Sequence, residues 1–114
     1  PESVHGVLYG TGSVRGERLV ARLSAVGFRA VRADGRDEVM RLLALHDETV
    51  KLVLVDLDQG GSDAVQLLQE IRVAHDFVRI VALTAQPERW QQVVEGIPGS
   101  EVVEKRGAGS RRLE

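Results

Sequence analysis

The sequence predicts an α/β domain with five short parallel strands in one sheet and helices on both faces. Three observations predict it. Short apolar stretches alternate with segments of helical period, β then α, five times along the chain with the last helix missing or cut short. The changeovers fall at glycines, a proline or cap-forming residues. The 114 residues, 43% of them hydrophobic, suffice for one core and are too few for two full-sized domains. Strict alternation of this kind implies right-handed crossovers between neighbouring parallel strands, which distribute helices over both sheet faces.

Each element has its own signal. Val4 to Tyr9 is apolar and ends at glycines, as a buried strand does. Ser13 can cap a helix from about Val14 to Val26, with Leu19, Leu23 and Val26 on one face. Gly27 stops it where a left-handed residue is needed. Phe28 to Ala33 reads as the second strand, and Gly35 separates it from a helix, Arg36 to Asp47, with Val39, Leu42 and Leu43 inward. Leu52 to Leu57 is the most hydrophobic stretch and should be the central strand. Gln59-Gly60-Gly61 reads as a loop, after which Ser62 or Asp63 caps a helix to about His75 carrying Ala64, Leu67, Leu68 and Ile71 at helical spacing. Val78 to Leu83 is the fourth strand. Pro87 opens a helix to Ile97, where its missing N–H costs nothing, with Trp90, Val93, Val94 and Ile97 inward. Glu101 to Glu104 is the fifth strand. Arg106 to Ser110 has no apolar stripe, so a fifth helix is expected to be truncated or absent, and the apolar surface it would cover to meet a second copy or another segment.

Composition narrows the function. Fifteen basic and 17 acidic residues, evenly spread for a net charge of −2, argue against a general nucleic-acid binder. The absence of cysteine excludes disulfides and thiolate metal sites. Apolar runs of about four residues are far below the roughly twenty a membrane span needs. No basic-then-apolar leader opens the chain, so a cytoplasmic location is expected. The final Leu113-Glu114 resembles the scar of an affinity tag, and residues 1–112 are taken as the single domain.

Ligands of such sheets bind beyond the carboxyl ends of the strands. There Asp56, Thr84 and Lys105 close three successive strands. A carboxylate, a hydroxyl and an ammonium in one small volume suit phosphoryl transfer onto the carboxylate: Asp56 attacks phosphorus, while Lys105 and Thr84 hold phosphoryl oxygens. Any one of the three alone reads more readily as a cap, a turn residue or a solvated end, and their joint placement on three successive strand ends reverses that preference.

Several segments then carry a family likeness. These are Leu52 to Leu57 with its terminal aspartate, the ungapped Asp58-Gln59-Gly60-Gly61-Ser62-Asp63-Ala64, Leu67 to Arg72, Val81-Ala82-Leu83-Thr84-Ala85, Gly27-Phe28 and Ala33-Asp34-Gly35. From about Val4 to Lys105 the chain resembles the receiver domains of two-component response regulators, the chemotaxis-regulator fold. The resemblance implies a flavodoxin-like three-layer sandwich with strand order 2-1-3-4-5. It makes Asp56 the phosphoacceptor equivalent and Thr84 and Lys105 the phosphate-contacting residues. It also implies a bacterial signalling role with a histidine kinase, another domain of the same protein or a second copy as partner.

The chain departs from the family pattern where the metal should bind. The family's paired acidic residues fall on Gly10 and Thr11. Asp56 and Asp58 remain as ligands for Mg²⁺, so no cofactor or only a weak Mg²⁺ site is expected. Gly60 replaces the loop proline, Ala64 a glycine, Arg106 the proline after the lysine, and Val102 the aromatic switch residue. Together these predict a degenerate receiver, in which phosphorylation is weak, atypical or lost and catalysis is at most self-phosphorylation and dephosphorylation at Asp56.

Two other readings compete. Gly10-x-Gly12-x-x-x-Gly16 follows a strand and opens a helix, with Asp34 ending strand two, as in a nucleotide-binding half-domain; its spacing is one residue off the usual turn. A ligand-free interaction module is the second, anchored by Trp90 if that ring is exposed and not packed on the sheet. His5, His46 and His75 stand far apart and read as surface or locally bonded residues, and Met40 as core filling.

Overall fold

The computed structural model describes residues 3–10 and 12–105, with the backbone alone for 13, 14 and 60–62. The elements run β1 (Gly6–Tyr9), α1 (Ser13–Ala25), β2 (Ala30–Ala33), α2 (Arg36–Leu45), β3 (Leu52–Asp56), α3 (Leu57–Ala74), β4 (Arg79–Thr84), α4 (Pro87–Glu95) and β5 (Ser100–Glu104). The five strands form one parallel sheet in the order β2-β1-β3-β4-β5. This is the predicted architecture, with boundaries displaced by one or two residues at most elements. The expected missing fifth helix falls on residues outside those described.

The period-two pattern of the strands builds two apolar layers. Val7, Val53, Val55, Ile80 and Ala82 meet Val39 and Leu43 of α2, Ala64, Leu67, Leu68 and Ile71 of α3, and Val94 of α4 in the main core. Leu8, Ala30 and Leu54 point the other way, under Leu19, Val20 and Leu23 of α1. On that face Val81 and Leu83 are only half-buried, and Val103, paired with Leu83, is 39% exposed. Among the described residues α1 is the one helix covering it, which leaves the β4–β5 end open.

Several expectations need correction. Gln59-Gly60-Gly61 is not a loop, and neither Ser62 nor Asp63 caps α3: the helix starts at Leu57 with Asp56 as N-cap, the Asp56 side chain accepting from the Asp58 amide. A capping carboxylate satisfies an otherwise orphaned amide and favours the positive end of the helix dipole, which offsets two glycines in the first turns. At α1 the N-cap is Gly12, not Ser13. Val26 lies past the end of α1 and is 78% exposed, and Val93 is 41% exposed. Ile97 is buried but lies beyond α4. Gly27 does stop α1 with φ +85°. Trp90 is half-buried against the main core, with the Arg89 guanidinium over its ring 5.0 Å from the centroid, and Met40 also packs on that core.

Candidate functional site

The sheet delivers Asp56, Thr84 and Lys105 to its carboxyl edge. Asp56 and Thr84 end adjacent strands, and the Lys105 amide donates to the Thr84 carbonyl, which extends the β4–β5 ladder to the lysine. Asp56 is 2% exposed and Thr84 fully buried. The Lys105 ammonium lies 3.0 Å and 2.8 Å from the two carboxylate oxygens of Asp56. Asp56 Oδ1 also accepts from the Asp58 amide at 2.9 Å.

Thr84 does not reach Asp56. Its hydroxyl donates to Asp58 Oδ1 at 2.8 Å and accepts from the Gln86 amide at 2.9 Å. Asp58 Oδ2 accepts from the Ala85 amide at 2.7 Å and lies 3.2 Å from the Lys105 ammonium. Sequence reasoning named Asp58 only as a weak metal ligand. The signal for its inward position was the Asp56-x-Asp58 spacing: once Asp56 caps the helix, Asp58 falls in the first turn, beside the sheet edge.

The electrostatics follow from these contacts. Burial pushes the Asp58 carboxyl up, but the Ala85 amide, the Thr84 hydroxyl and the Lys105 ammonium outweigh it and hold the group below the usual carboxylate range. With one lysine between two carboxylates, the cluster carries about one net negative charge.

Gly10 sits where β1 approaches this cluster, with φ +82°. A side chain there would meet the Asp56 Cβ and carbonyl oxygen at 3.3 Å. Thr11, the other expected acid position, lies outside the described residues. Among the described residues the donor set does not fit Mg²⁺, which wants several free oxygens in near-octahedral array. The Asp56 oxygens face Lys105 and the Asp58 amide, the Asp58 oxygens face Thr84, Ala85 and Lys105, and Gly10 offers no carboxylate. Among the described residues no three histidine or acidic side chains gather as a metal cluster.

The remaining candidates are scattered. Gly10 and Gly12, both at positive φ, line a shallow hollow with Tyr9, Arg32, Ala33, Asp34 and Gln59 at the ends of β1 and β2. Val102, at the switch position, is half-buried against the main core. His5 is locally bonded, its Nδ1 accepting from the Arg29 amide and its ring tilted on Phe28.

Comparison with known proteins bears on the fold. No family model and no curated protein sequence matches the chain. Solved structures do. A response regulator receiver domain protein from Clostridium thermocellum superposes with a TM-score of 0.76 at 13% identity, over 92% of this chain and 84% of that one. A response regulator receiver protein from Pseudomonas putida gives 0.71 at 20% identity, over 99% and 92%. NtrX from Brucella abortus gives 0.70 at 22% identity, over 91% of this chain but 23% of its own. The fold is therefore that of the response-regulator receiver domains.

Proposed function

We propose that the chain is a receiver-like regulatory module of a bacterial two-component signalling protein, acting by protein interaction and not by turnover of a substrate. The observation that supports it best is the meeting of Asp56, Thr84 and Lys105 at the carboxyl edge of a 2-1-3-4-5 sheet. In this reading Asp56 is the phosphoacceptor equivalent. Lys105 and Thr84 are the groups that would contact a phosphoryl oxygen. Phosphorylation is weak, atypical or lost, because the Asp56 oxygens are held by Lys105 and the Asp58 amide and no acidic pair stands at Gly10 to carry a cation. Partners would be a histidine kinase, another domain of the same cytoplasmic protein or a second copy. The likeness to part of the longer NtrX chain agrees with a multidomain setting.

Incubation with a small acyl phosphate and Mg²⁺, followed by intact mass and peptide mapping, tests the reading. The expected result is far less than one phosphoryl group per chain. Stoichiometric acyl phosphate on Asp56 would show an ordinary receiver. The hollow beside Gly10, Gly12 and Asp34 favours one second reading, a nucleotide site. Titration with an adenine nucleotide, watched at the Gly10 and Asp34 amides, decides it: no shift is expected from a receiver-like module, and saturable shifts would favour the nucleotide site.

A further inference from the structure

An acid in the first turn of a helix ordinarily needs no distant partner, since the helix amides and solvent satisfy it. Asp58 does something else. The capping is done by Asp56. Asp58 instead crosses to the next strand, placing Oδ1 on the Thr84 hydroxyl at 2.8 Å and Oδ2 on the Ala85 amide at 2.7 Å, with the Lys105 ammonium 3.2 Å away. A hydroxyl, a backbone amide and an ammonium converging on two oxygens is the donor chemistry of an oxyanion site. Here the chain supplies the oxyanion.

We propose that Asp58 is the built-in occupant of an oxyanion site formed by Thr84, Ala85 and Lys105. It ties the start of α3 to the turn between β4 and α4, and a free phosphate can engage the three donors only by displacing it. The inference deepens the regulatory reading above and rests on it in one respect: a phosphoryl group on Asp56 would address the same donors. Charge makes the two occupants exclusive. Asp56 and Asp58 already outnumber Lys105, and a phosphate brought beside both would add repulsion at contact distance in a poorly solvated site. The turn leading into α4 is thereby held in one arrangement without an external anion. A partner that docks there would meet a surface already set.

The test is a titration of inorganic phosphate into isotope-labelled protein, read at the Ala85 amide by NMR. In the unaltered protein the Ala85 signal should not move with phosphate. In Asp58→Ala it should move saturably, with an affinity at least about tenfold higher than in the unaltered protein. Asp58→Ala combined with Thr84→Val should lose most of that gain. Equal phosphate response with and without Asp58, or no response at Ala85 in Asp58→Ala, overturns the proposal. A second measurement uses no variant: the Ala85 amide shift must follow the titration of the Asp58 carboxyl carbon in the unaltered protein, and an Ala85 signal indifferent to that titration overturns the proposal as well. Inorganic phosphate requires no transfer to Asp56, so these outcomes are separate from success or failure of the acyl phosphate experiment.

Discussion

Replacing Lys105 by Met keeps the side-chain stem and removes the one cation that, among the described residues, faces both carboxylates. The ammonium contacts Asp56 at 2.8 Å and 3.0 Å and Asp58 at 3.2 Å, and the side chains of Lys105 and Asp56 are 14% and 3% exposed. At an effective dielectric of about 20, unit charges at such separations attract by roughly 4–6 kcal/mol, much of it offset by the cost of burying them. Taking away the cation leaves that cost uncompensated, and the expected loss of stability is about 3–5 kcal/mol at pH 7.5. Urea unfolding followed by the fluorescence of half-buried Trp90 at pH 7.5 measures this loss. Adding Asp56→Asn to Lys105→Met should recover at least about 2 kcal/mol, as expected for groups that interact directly. A loss under about 1 kcal/mol for Lys105→Met, or no recovery in the double variant, would mean that the ammonium does not compensate the two carboxylates.

Asp58 makes stability depend on pH, because its folded pKa is lowered: its contribution to stability is present above the unfolded carboxylate value and is lost as pH falls through the folded one. Acid unfolding curves of the unaltered protein and Asp58→Asn should differ above about pH 4 and converge below it. Gly10→Asp restores one acid of the family's pair but demands φ +82° and a contact of 3.3 Å with Asp56, so thermal unfolding should show a loss of about 1–3 kcal/mol. Leu68→Ala, at a fully buried position of α3, should cost about 2–5 kcal/mol in urea unfolding. It should leave the Lys105 contacts, and hence the pH dependence, unchanged.

The fold was legible because its signals are local and mutually consistent. Leu52 to Leu57 is the most hydrophobic stretch, as a strand covered on both faces must be, and the structure seats β3 at the centre of the sheet between β1 and β4. Gly27 stops α1 by the left-handed conformation that its position suggests. The start of α3 was not legible. Gly60 and Gly61 each weaken a helix by about 1 kcal/mol relative to alanine, so a loop was the natural expectation. The compensation comes from a cap made by the last residue of the strand and from Asp58 tied to another strand, and no window of sequence contains Thr84, Ala85 and Asp58 together. The convergence of three strand ends on one sheet edge was legible, but Asp58's place among them and the wiring were not. Position along the sheet edge brings Asp56, Thr84 and Lys105 near one another, yet side-chain geometry alone decides that Thr84 bonds Asp58 and not Asp56. Val26 and Val93 fit an inward helical stripe by spacing and still lie exposed, one past its helix end and the other at the edge of the buried face.

In the proposed reading Asp56 and Asp58 are held by the protein's own donors in an arrangement that does not suit a divalent cation. Titration of Mg²⁺ against the amide signals of Gly10, Asp56, Asp58 and Ala85 tests it most directly. No saturable shift is expected at these four positions up to millimolar Mg²⁺, with only weak, scattered changes at exposed acids. Saturable shifts clustered at Gly10, Asp56 and Asp58 would contradict it.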